Sequence, residues 1–389
     1  PRTPPPEFAA PRPGAMLLPN RTQIAHGLTS RFKAASAEPS CSSANQILPL
    51  AEDALRCLCR GQSRRRSSLT DPVLKVYLTI DTEVWCNGWE AIDDQFPLAF
   101  QRYVYGRSAH GDFALPKTLE ILNRFGLKAV FFVESLFSAR FGSHYLQEIV
   151  QLIDRAGHDI QLHVHPEWSD EIHPPLVKST EEKFQSLSQL SESDQFTLIS
   201  WAKNALEQSL GRPVTAFRAG NYAASRSTLR ALRRAGIRID SSLNECMAGS
   251  GTDVPALADY VTARVVDGVL CYPVSTFRDG LGIKRPLHVN GCSFEELRDA
   301  LFTAAQSGWE HFVIVSHNFE MLRRGSHEPD HIVVDRFTRL CELLADYPAL
   351  FQVCSYSDAE PSTSARPATA KFLSTGQRHL EQIRRLATL

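Results

Sequence analysis

No apolar run in this 389-residue chain reaches the roughly 18 residues needed to cross a bilayer, so no membrane-spanning helix is expected. Neither sign of charge is in excess: 42 Lys and Arg stand against 43 Asp and Glu, for a net charge of −1. Whole-chain charge therefore gives no general reason to expect nucleic acid or an anionic membrane as a partner. Cysteine is present but unorganised. Nine residues, an odd number, are scattered along the chain, and only Cys57 and Cys59 lie close together. That pattern argues against a disulfide framework and against a four-thiolate metal centre, and it points to reduced thiols and a cytoplasmic chain. The remaining composition, 43% hydrophobic and 22% charged, is that of an ordinary globular protein. The first residue is Pro1 rather than Met, so the native start is expected to lie upstream. No sequence feature sets an oligomeric state.

Residues 1–45 are rich in Pro, Ser, Ala and Arg and read as disordered. A short amphipathic helix is expected over 46–60 and a basic linker over 60–68, which makes 1–70 an extension. From Val73 the character changes. Short β-branched runs at 76–83, 128–134, 159–165, 215–221, 237–243, 269–276 and 311–317 read as strands. Helical periodicity occupies 117–126, 145–157, 179–210, 225–236, 293–306 and 333–347. After 357 a Ser/Thr/Pro-rich tail leads into a basic amphipathic stretch, so 358–389 is a tail with a helix. That helix is expected to dock on the domain, with a membrane-surface role as the alternative.

Strand–helix alternation implies parallel neighbours joined by crossovers, hence an α/β domain over 71–357. About seven strands suit either an open doubly wound sheet or a barrel, and both put chemistry at the carboxyl ends of the strands. Polar groups collect there. The first strand ends in Asp81 and Glu83, an i, i+2 pair on one face, and the third ends in His163 and His165 with the same spacing. Arg218 and Asn221 end the fourth strand, Asp240 lies at the end of the fifth, and His317 and Asn318 end the last. Each has a bland explanation alone: a helix-capping acid, a satisfied core histidine, a structural ion pair. Two acids, two imidazoles, an arginine and a further histidine together favour a site. Mixed carboxylate and imidazole ligands suit Zn²⁺, with Co²⁺, Ni²⁺ or Mn²⁺ as substitutes.

At these residues the chain resembles the polysaccharide deacetylase superfamily, that is, carbohydrate esterase family 4 and its relatives. GLKAVFFVE (126–134), GHDIQLHVHP (157–166), AFRAGNYAAS (216–225) and VIVSHN (313–318) follow the order of the family's motifs. The resemblance implies an irregular (β/α) barrel and a hydrolase that removes an acetyl group from an N-acetylated sugar or polysaccharide. It also implies a divalent metal, with Glu83, His163 and His165 as ligands and Glu167 as rival third ligand. Asp81 becomes the base, Arg218 its partner, and His317 the acid, with Asp240 paired to His317. Asn221, Tyr222, Trp168 and Asn318 become substrate contacts, and Trp85 and Trp89 either line the mouth or pack a loop. Two departures stand out. The family's adjacent acids are replaced by Asp81-Thr82-Glu83, and its i, i+4 histidines by His163 and His165. Hydrolysis of another C–N bond, such as a cyclic amide or ureide, is the nearest alternative. A glycosidase using Asp81 and Glu83 and a non-catalytic glycan-binding barrel are more distant ones.

Overall fold

The computed structural model describes residues 73–86, 88–178, 183–247, 263–356 and 368–387. The expected extension over 1–70 lies outside them. The core sheet is built from β1 (Leu74–Thr82), β2 (Val130–Glu134), β3 (Asp159–Val164), β4 (Ala216–Ala219), β5 (Ile239–Asp240), β6 (Arg264–Val266) and β7 (Val269–Cys271). Further along the chain come β8 (Thr276–Arg278), β9 (Lys284–Pro286), β10 (His311–His317), β11 (Phe351–Val353) and β12 (Ala368–Thr369). The sheet order is β10-β1-β2-β3-β4-β5-β7-β6, with β11 also beside β1. Every pairing is parallel except the β6–β7 hairpin. The curled, mostly parallel sheet is the expected irregular (β/α) barrel, in half-barrel form.

Alternation along the strands divides the molecule into two cores. Tyr77, Val130, Phe132, Ala216 and Val313 point to the inner face and form a small apolar floor. Their sequence neighbours Val76, Leu78, Ile80, Phe131, Leu162, Phe217 and Ile314 point outward into the large core beneath the helices. Those helices are α1 (Ile92–Phe100), α2 (Leu115–Arg124), α3 (Ser143–Arg155), α4 (Glu192–Leu210), α5 (Arg226–Arg234), α6 (Phe294–Gln306), α7 (His331–Asp346) and α8 (Phe372–Ala387). Their starts follow local chemistry. Ser191, Ser225, Ser293 and Asp330 each accept a backbone N–H in the first turn of α4, α5, α6 and α7.

Three sequence expectations need correction. The 269–276 run is not one strand: β7 ends at Cys271 and β8 starts a separate small sheet with β9 and β12. Periodicity over 179–210 becomes helix only from Glu192, where Ser191 caps it; before that the described chain makes a 3₁₀ turn at Leu187–Gln189. The 237–243 run keeps only two strand residues. Among the described residues six cysteines are free, and no helix is long and apolar enough to cross a membrane.

Candidate active site

The inner face that is apolar at its floor becomes polar at the carboxyl ends of the strands. Following each inward row upward gives Thr79, Asp81 and Glu83 after Tyr77, Glu134 after Phe132, Arg218 after Ala216, and His317 after Val315. Parallel register brings them level: Asp81 lies opposite Phe132 and His317, Glu134 opposite His163, and His163 opposite Arg218.

Glu83 Oε1 lies 2.9 Å from His163 Nε2 and 3.0 Å from His165 Nε2, and all three side chains are buried. Burial works against the charge on Glu83, but the facing His165 and hydrogen bonds from both imidazoles hold its carboxyl well below the usual range. Each ring is turned by its other nitrogen. His163 Nδ1–H donates to the Arg218 carbonyl at 2.7 Å, and His165 Nδ1 lies 3.2 Å from Glu167 Oε2. Both Nε2 atoms are thereby presented to Glu83. Glu167 sits behind His165 and outside the cluster, so the geometry favours Glu83 over Glu167 beside the two imidazoles. Three ligand atoms lying within 4.8 Å of one another, two imidazole and one carboxylate, fit a single divalent ion with nitrogen and oxygen preference.

Backbone clamps hold the group. Asn318 accepts the Glu83 N–H at 3.0 Å and donates to its carbonyl at 3.2 Å. Asn318 is fully buried, so its expected role as a substrate contact is corrected: its amide is consumed in fixing Glu83. Glu134 accepts the backbone N–H groups of Leu136 and His165, and burial pushes its carboxyl up to about 8. Trp85 Nε1–H donates to the second Glu83 oxygen, and the indole meets the His165 ring edge-on, centroids 4.7 Å apart. Gly220 lies against the other side of that ring. A Cβ there would stand 2.4 Å from His165 Nδ1, closer than any real contact.

Asp81 and Arg218 form the second component. Arg218 Nη1 donates to Asp81 Oδ1 at 2.6 Å and to Thr79 Oγ1 at 2.8 Å. Its Nε and Nη2 donate to the carbonyl and hydroxyl of Ser241 at 2.9 and 3.0 Å, and its guanidinium lies over Phe132. The guanidinium is completely buried with its hydrogen bonds satisfied, so it holds the Asp81 carboxylate at one angle.

His317 stands across from both acids, its Nε2 3.9 Å from Asp81 Oδ2 and from Glu83 Oε1. Its Nδ1 lies 3.0 Å from Glu320 Oε1, and Glu320 also accepts from Ser316 Oγ at 2.8 Å. His288 Nε2 lies 3.1 Å from the same Glu320 oxygen. Burial opposes the charge on His317, but the hydrogen bond to Glu320 and the charge of Glu83 raise its pKa to about 9.

The expected Asp240–His317 pair does not form. Asp240 is in register with Phe217 and Cys271, both of the outer core, so it points away from the lumen. There it accepts the hydroxyl and backbone N–H of Ser242. Glu320 takes its place beside His317. Trp168 is corrected as well: it is buried against the rings of Trp89, Phe96, Phe137 and Phe141 and offers no face to a ligand. Trp89 packs that loop too, under Lys183. Asn221 donates to Glu167 Oε1 at 3.0 Å and to the Gln185 carbonyl at 2.8 Å. It and Tyr222 both hold positive φ, 55° and 57°, a conformation asparagine tolerates but one costly for the half-buried Tyr222.

Glu134, Glu320 and His288 were missed from the sequence. Glu134 was readable, as an acid ending the strand VFFVE. His288 had no signal: it precedes a 3₁₀ turn and reaches the site only through an isolated bridge to Val315.

Residues 109–239 match the family model described as polysaccharide deacetylase. Over that segment, about a third of its length, the chain is similar to the polysaccharide deacetylases. The matched segment holds His163, His165 and Arg218, while Asp81, Glu83 and His317 lie on the strands flanking it. The matched family is one of hydrolases that act on C–N bonds other than peptide bonds. No curated protein matches the chain. Among solved structures, one from Mycobacterium smegmatis assigned to the polysaccharide deacetylases is 18% identical with TM-score 0.46, covering 76% of this chain and 97% of that one. A family 4 carbohydrate esterase from Streptomyces lividans in complex with acetate is 13% identical with TM-score 0.38, over 76% and 100% of the two chains. A 4-alpha-glucanotransferase from Thermococcus litoralis is 13% identical with TM-score 0.48, over 80% and 46%. Likeness of this degree carries no functional argument. The resemblance rests on the matched segment and its residues.

Proposed function

We propose that this deacetylase relative is metal-dependent and removes an acetyl group from an N-acetylated sugar or polysaccharide. One observation carries the reading: the Glu83, His163 and His165 ligand atoms converge between an acid fixed by arginine and a histidine fixed by a second acid. Glu83, His163 and His165 would hold the ion, and a divalent cation there supplies Lewis acidity toward a carbonyl oxygen and toward water.

The rest is the work of the chain's own groups. Asp81, bonded to Arg218 through one oxygen, keeps Oδ2 for the proton of an incoming water. Arg218 holds that carboxylate in position and balances its charge. His317 donates its Nδ1–H to Glu320, and its raised pKa keeps Nε2 protonated as well, so the imidazolium can deliver the Nε2 proton to a departing amine nitrogen. Tyr222, beside Asp81, and the exposed Asn221 are the remaining candidates for contact with the sugar.

The test is acetate release from N-acetylglucosamine oligomers, with elemental analysis of the purified protein. Asp81→Asn is expected to lower kcat at least 100-fold with metal content unchanged, and His163→Ala to lose both metal and activity. Full metal retention in His163→Ala would refute the ligand set. Turnover of cyclic amides in place of acetylated sugars would retain the site and refute the substrate.

A further inference from the structure

Helix α8 is amphipathic, and it docks with the wrong face. Thr375, Arg378 and Glu381 point inward: Arg378 pairs with Asp279 and Glu296, Glu381 with Arg336, and Thr375 Oγ1 donates to Glu296. These polar side chains are almost fully buried, which fixes the helix by ion pairs and hydrogen bonds. At 100° per residue, Leu380 and Ile383 fall on the opposite side, 53% and 62% exposed, with Leu373 and Leu386 at its edges, 82% and 62% exposed. Phe372, 66% exposed, opens the same stripe.

The stripe continues onto the β8–β9 hairpin. Gly280 packs so closely on the start of α8 that a Cβ would meet Phe372 Cα at 2.2 Å, and its N–H donates to Thr375 Oγ1. The hairpin tip next to it exposes Leu281 and Ile283, 55% and 54%. A contiguous apolar surface of this kind marks an interaction site. Its own two segments expose basic charge, although Lys284 is paired to Glu245 beside the hairpin. In segments 278–284 and 371–387 every exposed charged residue is basic: Arg278, Lys284, Lys371 and Arg384. The acids of these segments, Asp279 and Glu381, are buried beneath the helix.

We propose that α8 and the β8–β9 tip form a peripheral binding surface for an anionic phospholipid bilayer. The outward leucines and isoleucines enter the interface, and the basic border meets the lipid phosphates. An apolar face edged by Lys and Arg is the pattern of interfacial helices. A second copy of this chain fits less well, since it would set one basic border against another.

Flotation of the full chain with vesicles tests this. Binding is expected to 3:1 phosphatidylcholine:phosphatidylserine vesicles and not to pure phosphatidylcholine, and it should weaken as salt rises. Ile383→Glu with Leu380→Glu should lower partitioning at least tenfold, as should Lys371→Glu with Arg384→Glu. The first pair is more than half exposed, so melting temperature and circular dichroism should be unchanged. Failure to bind the anionic vesicles, equal binding to neutral ones, or indifference to both variants would overturn the proposal. So would a dimer by light scattering that Ile383→Glu dissolves while vesicle binding is absent.

Discussion

Replacing Gly220 by alanine adds one methyl group, and the fold gives that methyl no room. The new Cβ would lie 2.4, 2.6 and 2.7 Å from Nδ1, Cγ and Cε1 of His165, where ordinary contacts begin near 3.4 Å. Gly220 itself has an unremarkable φ, so the effect is steric and not one of backbone strain. His165 has no easy retreat, because Trp85 meets its ring edge-on and Glu83 and Glu167 engage its two nitrogens. Restoring contact requires a shift of about 1 Å, and misplacement of that size costs about 100-fold in rate where geometry controls the step. Overpacking of this sort also destabilises by about 1–3 kcal/mol. We expect Gly220→Ala to lower metal occupancy and to reduce kcat/KM about 100-fold, with a modest drop in melting temperature. The assay pairs elemental analysis with acetate release at saturating added Zn²⁺. Wild-type metal content together with wild-type kcat/KM would refute the reasoning, since His165 would then be free to move or irrelevant.

Other expectations follow from the same geometry. Glu320→Gln removes the charge that holds the His317 proton; with pKa raised to about 9, that imidazolium is lost as pH rises through 9. The variant's alkaline limb in kcat should therefore move down by at least about one pH unit, and an unmoved limb would remove His317 from the acid role. Arg218→Met leaves Asp81 buried without its partner and should destabilise the protein by about 3–5 kcal/mol in denaturant titration; an unchanged midpoint would contradict the pairing. His311 is buried, and that burial lowers its pKa from 6.5 to about 4. The unfolded chain takes up this proton first as pH falls, so stability declines between pH 6.5 and 4, by at most about 3 kcal/mol at this residue. His311→Phe should flatten that decline in melting temperature, and an identical acid slope would exclude the residue as its source.

How much was legible in the chain follows from how local each signal is. Strand–helix alternation and i, i+2 spacing are properties of neighbouring residues, so the barrel class, the Asp81–Glu83 pair and the His163–His165 pair could be read directly. The side chains expected at strand ends fared according to direction. Asp81, Glu83, His163, His165, Arg218 and His317 stand on inward rows and meet. Asp240 stands at a strand end too, but on an outward row, because register with Phe217 turns it away. The sequence shows that a residue ends a strand, and only pairing shows which way it points.

By itself the sequence determined the class of fold, the end of the sheet where polar groups collect, and the mixture of carboxylate and imidazole there. These depend on periodicity and residue type, which survive without coordinates. Tertiary structure decided which acid serves His317, which aromatic is buried in the core, that Glu167 backs a histidine, and which face of α8 looks outward. Each of those depends on contacts between residues far apart in the chain, such as Asn318 with Glu83 or Arg378 with Glu296. No local pattern encodes a partner more than 80 residues away; only the closed sheet and the docked helix bring it within reach.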